Sequence, residues 1–305
     1  MPRGRVSRIA GFFLVLAGTA ALAQPQNPAQ VRRIPVNGVE LEYVEQGRGV
    51  PVVFVHGAVG DLRYWEPQRE AFAKGYRFVA YTLRYHGTGP WPDEGKQFTA
   101  QQHAADLAGL IKGLKAGPVH LVGLSYGGLL TTMVALDHPD LVRTLILAEP
   151  ALHPLLAETP DGKPALEEWN KALAPMAPLI KSGDNAGAVR HLSAVVTGGS
   201  VEDFDSIPAG FRQVLLDNAR TLPLIFAAPE TPITCDMLRS IKAPTLIVRG
   251  EATPRVFAKV NENAGRCIAG SKAVVIPKAS HPMSYDNPAG FNRAVIEFLR
   301  QAAKR

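Results

Sequence analysis

The run Val119-His120-Leu121-Val122-Gly123-Leu124-Ser125-Tyr126-Gly127-Gly128 decides how this chain is read. Its first four residues suit a short strand buried on both faces of a sheet. Gly123 to Gly127 then spell G-x-S-x-G, and Leu129 to Leu136 follow as a helical stretch. A serine on such a strand–turn–helix pentapeptide has a strained backbone, and its hydroxyl is lifted clear of the sheet. Gly123 and Gly127 are small because neighbouring backbone passes close there. A chance Gly-rich loop would not account for the strand, the helix and the doubled Gly127-Gly128 together.

Outward from this point, short β-rich runs alternate with helical ones. Val31 to Val36 and Val39 to Glu45 predict a hairpin turning at Asn37-Gly38. Pro51 to Val55, Phe78 to Thr82, Val119 to Val122, Leu145 to Ala148, Thr245 to Val248 and Ala273 to Ile276 read as further strands. Thr99 and Gln102 form a capping-box helix start, and Asn287-Pro288 caps a C-terminal helix carrying Phe291, Val295, Phe298 and Leu299. This is an α/β pattern with a mostly parallel central sheet and helices on both faces. The alternation breaks between about His153 and Thr234, where helical fragments appear and no convincing strand does. Residues 153–234 are therefore expected to be a helical cap inserted into a core of 24–152 and 235–305.

Several segments now resemble the α/β-hydrolase fold family over residues 31–303. His56-Gly57 after an apolar strand resembles its oxyanion loop. Thr82-Leu83-Arg84-Tyr85-His86-Gly87-Thr88-Gly89 resembles its D-x-x-G-H-G-x-S strand end, with Thr82 in place of Asp and Tyr85 in place of Gly. Ala279-Ser280-His281-Pro282 resembles the segment that carries the catalytic histidine. The resemblance implies Ser125 as nucleophile and His281 as base, in the order serine, acid, histidine.

The acid departs from the usual pattern. Many relatives carry it as G-x-x-D after the penultimate strand, and here Gly250-Glu251-Ala252-Thr253 puts threonine at that site. Some family members, including certain haloalkane dehalogenases, carry the acid after the strand next to the nucleophile strand. Glu149 stands there and is the preferred acid. Glu251 is the competitor, although its offset is early. Asp286 reads as part of a helix start. The oxyanion donors are expected to be the backbone N–H groups of Tyr126 and Ala58.

The other histidines have simpler readings. His56 and His86 hold loops, and His120 is a core residue. His103, His138, His153 and His191 lie on helices or turns and are expected to be solvated. No metal-binding pattern appears, so no metal and no cofactor is expected. The predicted activity is hydrolysis of a small, mainly apolar carboxylic ester or lactone through an acyl-enzyme. Haloalkane dehalogenases and epoxide hydrolases of this fold need an aspartate nucleophile, against which Ser125 argues. A cofactor-free perhydrolase or peroxidase, or a non-catalytic binder, is the alternative on the same residues. Met176, Phe204, Phe211 and Phe226 would make an apolar pocket wall or the cap's own core, and Trp65 and Trp91 are candidates for its entrance.

Residues 1–23 read as a secretory signal. Arg3, Arg5 and Arg8 precede an apolar run beginning at Ile9, and Ala21-Leu22-Ala23 ends it with small residues. Export to the periplasm or medium is therefore expected, with no membrane association after cleavage. The composition, 46% hydrophobic and 20% charged, excludes a disordered chain. The formal charge of +6 falls to +3 without the three leader arginines, since 30 basic residues then face 27 acidic ones. That balance gives no reason to expect a nucleic-acid partner. The partner is a small-molecule ester or lactone, and the oligomeric state is left open. Cys235 and Cys267 are either free or paired, since an oxidising compartment permits a disulfide without requiring one.

Overall fold

The computed structural model describes residues 30–91 and 93–304. The leader segment lies outside them. Eight strands make one sheet: β1 (Arg32–Val36), β2 (Val39–Gln46), β3 (Pro51–Val55), β4 (Arg77–Tyr81), β5 (Val119–Leu124), β6 (Val142–Ala148), β7 (Thr245–Gly250) and β8 (Lys272–Ile276). Their spatial order is β1-β2-β4-β3-β5-β6-β7-β8. The first two pairings, β1 with β2 and β2 with β4, are antiparallel, and every later one is parallel. The hairpin turns where expected, with Asn37 and Gly38 both at positive φ, the backbone that a two-residue hairpin turn demands.

Helices cover both faces. Helices α1 (Glu66–Ala73), α2 (Ala100–Gly113) and α3 (Tyr126–Asp137) follow the early strands. Between β6 and β7 come α4 (Gly162–Leu173), α5 (Met176–Ser182), α6 (Asn185–Thr197), α7 (Ala209–Asp217), α8 (Leu222–Ala227) and the short α9 (Cys235–Arg239). After β7 come α10 (Arg255–Cys267), the four-residue α11 (Met283–Asp286) and α12 (Pro288–Ala302). Thr99 caps α2 by accepting from Gln102 N–H at 3.0 Å, and Asn287 caps α12 by accepting from Gly290 N–H at 2.9 Å. Each bond satisfies one of the N–H groups that a helix start leaves without a partner.

The sheet divides the apolar interior in two. Val53 and Val55 of β3 pack with Leu107, Leu110 and Leu130 on one side. Val52 and Phe54 pack with Trp65, Phe72, Phe291 and Leu299 on the other. This is the period-two alternation of a strand buried on both faces. Trp65 is therefore core and not an entrance residue. Trp91 lies beneath the Arg220 guanidinium, 4.4 Å from its ring centre.

The helices after β6 are tied to the loops that follow β3 and β4. Asn218 donates to the buried Asp61 carboxylate at 2.7 Å and accepts from Gly87 N–H at 2.6 Å. Arg63 bridges Asp61 and Asp217 at 2.7 and 2.8 Å. Burial works to raise the Asp61 carboxyl, but hydrogen bonds from Arg63 and Asn218 outweigh it and hold the group below its usual range. The Thr221 hydroxyl lies 3.1 Å from the Ala58 carbonyl oxygen. These contacts position the Ala58–Arg63 segment at the carboxyl ends of the strands, where ligands bind in open α/β sheets.

Candidate active site

Ser125 sits between β5 and α3 with φ 53° and ψ −117°. That backbone is sparsely populated for an L-residue and costs on the order of 1–3 kcal/mol. The turn is held by Ser125 N–H donating to Ala148 O at 3.0 Å, and by Ser125 O accepting from Gly128 and Ala151. A Cβ on Gly123 would collide with the Gly127 carbonyl, and one on Gly127 with the Val55 and His56 carbonyls. Glycine at these two positions is thus required by close backbone approach.

Glu149 follows β6, is fully buried and has a φ of 43°. Three donors converge on its carboxylate. Gly250 N–H reaches Oε1 at 2.8 Å, the Thr253 hydroxyl reaches Oε2 at 2.8 Å, and His281 Nδ1 reaches Oε2 at 2.6 Å. The His281 ring also stacks on Phe257 of α10, with centroids 3.9 Å apart and planes 13° apart. Its plane is therefore set by an aromatic face and its rotation by a carboxylate. Glu251 takes no part. Its carboxylate accepts from Lys278 N–H at 2.8 Å and closes the loop after β8. Asp286 likewise accepts from Ser280 N–H and its hydroxyl, at 2.8 and 2.7 Å.

The Gly57–Ala58 peptide is fixed through its carbonyl. His56 Nε2 accepts from Leu83 N–H at 3.1 Å, so its proton is on Nδ1, which donates to Gly57 O at 2.8 Å. Burial first, and then the nearby His86, pushes His56 down to about 3, which keeps this ring neutral. His86 has Nδ1 3.0 Å from Arg84 O and Nε2 3.0 Å from Ala58 O. Tyr126 begins α3, where the first-turn N–H groups have no helical acceptor.

Two histidine readings need correction. His103 is fully buried and pairs through Nδ1 with the Tyr126 hydroxyl at 2.8 Å. His153 stacks on Trp169 at 5.3 Å, and its Nε2 is buried. Burial first, and then His281, lowers His153 to about 4. Both were expected in solvent because helix or turn position alone does not report what covers a face. His120 does behave as a core residue, bonded to the Thr144 hydroxyl at 2.8 Å.

Ser125, His281, Gly57, Ala58 and Tyr126 all line one cavity of about 800 Å³. Its walls include Leu173, Leu192 and Phe211 from the helices after β6. Phe211 and Phe226 line it, whereas Met176 and Phe204 are buried among those helices. Sequence reasoning missed Phe257 and Trp169, which carry no motif. It also gave Thr253 no role, although the absence of an acid there was the signal. Cys235 and Cys267 form a disulfide with their Cα atoms 5.1 Å apart. Among the described residues no group of three or more His, Cys, Asp or Glu could hold a metal ion, and no helix is long and apolar enough to cross a membrane.

A family model described as the alpha/beta hydrolase family matches residues 52–294. The chain is 26% identical over 282 residues to a 2-(acetamidomethylene)succinate hydrolase of Mesorhizobium japonicum, covering 88% of this chain and 94% of the relative. A thermophilic esterase from Thermogutta terrifontis superposes with a TM-score of 0.69 at 27% identity, over 90% of this chain and 99% of the other. Est816, described as an N-acyl homoserine lactone degrading enzyme, superposes with a TM-score of 0.71 at 23% identity, over 88% of this chain and all of the other. The last likeness is one of fold.

Proposed function

This chain belongs to the alpha/beta hydrolase family, and from that premise we propose that it is a serine hydrolase of apolar carboxylic esters or lactones. The observation that carries the reading is that Ser125 and His281 line the same cavity while Glu149 holds His281 Nδ1 at 2.6 Å. With Nδ1 engaged, the other ring nitrogen, Nε2, is the one that takes a proton. Ser125 Oγ attacks the ester carbonyl, and its proton passes to His281 Nε2. Glu149 stabilises the imidazolium that forms. The negative oxygen of the tetrahedral intermediate accepts from Ala58 and Tyr126 N–H, each donor worth roughly 3 kcal/mol. Collapse releases the alcohol with the proton from His281 and leaves an acyl-enzyme. Water then gives its proton to His281 and attacks the acyl carbon, which frees the acid and restores Ser125.

Residues 153–234 act in this reading as a cap that roofs the cavity and supplies its apolar wall. Residues 1–23 act as an export signal, so that the mature protein begins at Gln24 and works in the periplasm or outside the cell. The Cys235–Cys267 disulfide suits such a compartment. N-terminal sequencing of the exported protein tests the cleavage point. A fluorophosphonate probe tests the chemistry. One adduct per chain is expected on Ser125 by peptide mass spectrometry, and it is lost on unfolding and strongly slowed in Glu149→Gln. A folded protein that leaves Ser125 unlabelled would refute the hydrolase reading.

A further inference from the structure

The cavity walls say more about the substrate than the catalytic residues do. About 800 Å³ lies near the upper end of the roughly 300–1,000 Å³ that encloses drug-sized ligands. A two- or three-carbon acyl group would leave most of this apolar surface uncovered.

The charge of the lining points the same way for every acidic substrate. Among the described residues that line the cavity there is no lysine and no arginine. Its three carboxylates, Asp203, Glu230 and Asp286, are all exposed, so they stand where the cavity meets solvent. Without the three leader arginines the sequence still carries a formal charge of +3, so an acidic rim runs against its overall balance. The two lining histidines offer no cation for a carboxylate either. His281 is taken by Glu149, and His153, half-buried and stacked on Trp169 with its Nε2 out of solvent, is held neutral. A carboxylate on the substrate would enter past like charge and lose water with no cation to meet it.

We propose that this site selects uncharged esters or lactones with an extended aliphatic portion, and discriminates against substrates that bear a carboxylate. The proposal rests on the serine-hydrolase reading and narrows its substrate class. The apolar wall supplies the chain preference, because each methylene that moves from water to that wall strengthens binding by roughly two- to fourfold. The acidic rim and the absence of a wall cation supply the charge preference.

The decisive pair is 4-nitrophenyl octanoate and mono-4-nitrophenyl suberate, which share an acyl length and differ by a terminal carboxylate. The neutral ester should show a kcat/KM at least a hundredfold higher, with the gap narrowing as salt screens the rim. In the neutral series from butanoate to decanoate, kcat/KM should rise with length. Leu192→Trp, which fills the cavity from α6, should move the optimum to shorter chains. Equal treatment of octanoate and suberate, or an optimum at acetate, overturns the proposal while fluorophosphonate labelling of Ser125 leaves the hydrolase reading standing. If Ser125 is not labelled and no ester turns over, calorimetric binding of the same two esters to the wild-type protein decides. Binding of octanoate alone upholds the selectivity, and equal binding or none refutes it.

Discussion

Thr253 donates its hydroxyl hydrogen to Oε2 of Glu149 at 2.8 Å, the same oxygen that accepts from His281 Nδ1 at 2.6 Å. Thr253 stands at the family's usual place for the acid, so the usual and the alternative acid positions converge on one point in space. In the proposed assignment, the threonine is a donor to the carboxylate that serves as the acid. Glu149→Gln should lower kcat by about 10⁴, since an amide cannot hold the imidazole in the same tautomer or stabilise its charged form. Thr253→Val should cost roughly tenfold or less, and Glu251→Gln almost nothing. The double variant Glu149→Ala with Thr253→Asp should recover at least tenfold over Glu149→Ala alone. Steady-state kinetics on one neutral ester checks all four. A large loss in Glu251→Gln would reverse the assignment.

His56 acts on the proposed oxyanion donor through a single peptide. Its Nδ1–H is bonded to Gly57 O, and that carbonyl shares its peptide unit with Ala58 N–H. Drawing electron density toward the carbonyl oxygen strengthens the N–H as a donor. His56→Ala should therefore lower kcat by about tenfold to a hundredfold with little change in KM, because the bond acts when charge develops on the substrate oxygen. His56→Asn, which keeps an N–H toward Gly57, should restore part of that loss. Equal losses in both variants, or a change confined to KM, would leave His56 with only a packing role.

The parts of this molecule that were legible in the sequence are those written in local pattern. The elbow at Gly123–Gly127, the hairpin at Asn37-Gly38 and the caps at Thr99 and Asn287 each need particular residues at fixed offsets, and each lies where it was read. Glu149 was legible only indirectly, through the threonine at 253. What was not legible depends on which surfaces meet. Phe257 lies on α10, eight residues beyond Arg249 of β7, and nothing near it predicts that its ring will lie flat on His281. The helical position of His103 predicts solvent, yet α2 turns it inward against Tyr126. The pairing of Cys235 with Cys267 likewise needs α9 and α10 brought together, which no spacing states.

Buried neutral histidines make the fold sensitive to acid. His56 is lowered to about 3, chiefly by burial, and His120 and His153 to about 4, also chiefly by burial. The unfolded chain binds protons near pH 6.5 and the folded one resists them. The stability these groups lend is present above pH 6.5 and is lost as pH falls toward the folded values. At pH 5 each would cost about 2 kcal/mol, a sizeable share of a typical 5–15 kcal/mol. The urea midpoint should fall steadily between pH 6.5 and 5. His120→Gln, which retains a hydrogen-bonding group beside Thr144, should flatten the slope by about 1.4 kcal/mol per pH unit. A midpoint independent of pH over that range would mean that these rings titrate normally in the folded protein.

The disulfide closes a loop of 32 residues between the start of α9 and the end of α10. In the chain-entropy account, restraining a loop of that length in the unfolded state contributes about 3–4 kcal/mol. For a domain of this size, each kcal/mol corresponds to roughly 2–4 °C in Tm. Reduction, or Cys235→Ala with Cys267→Ala, should therefore lower Tm by about 6–16 °C. The effect should reach the proposed active site only through α10, because that helix carries Phe257 against His281. Ester hydrolysis at 25 °C should stay within about threefold of wild type, while inactivation on heating should come earlier. Calorimetry with and without reductant, beside an activity assay at both temperatures, separates the two effects. A large loss of activity at 25 °C with an unchanged Tm would place the disulfide's role in holding α10 against His281 and not in restraining the unfolded chain.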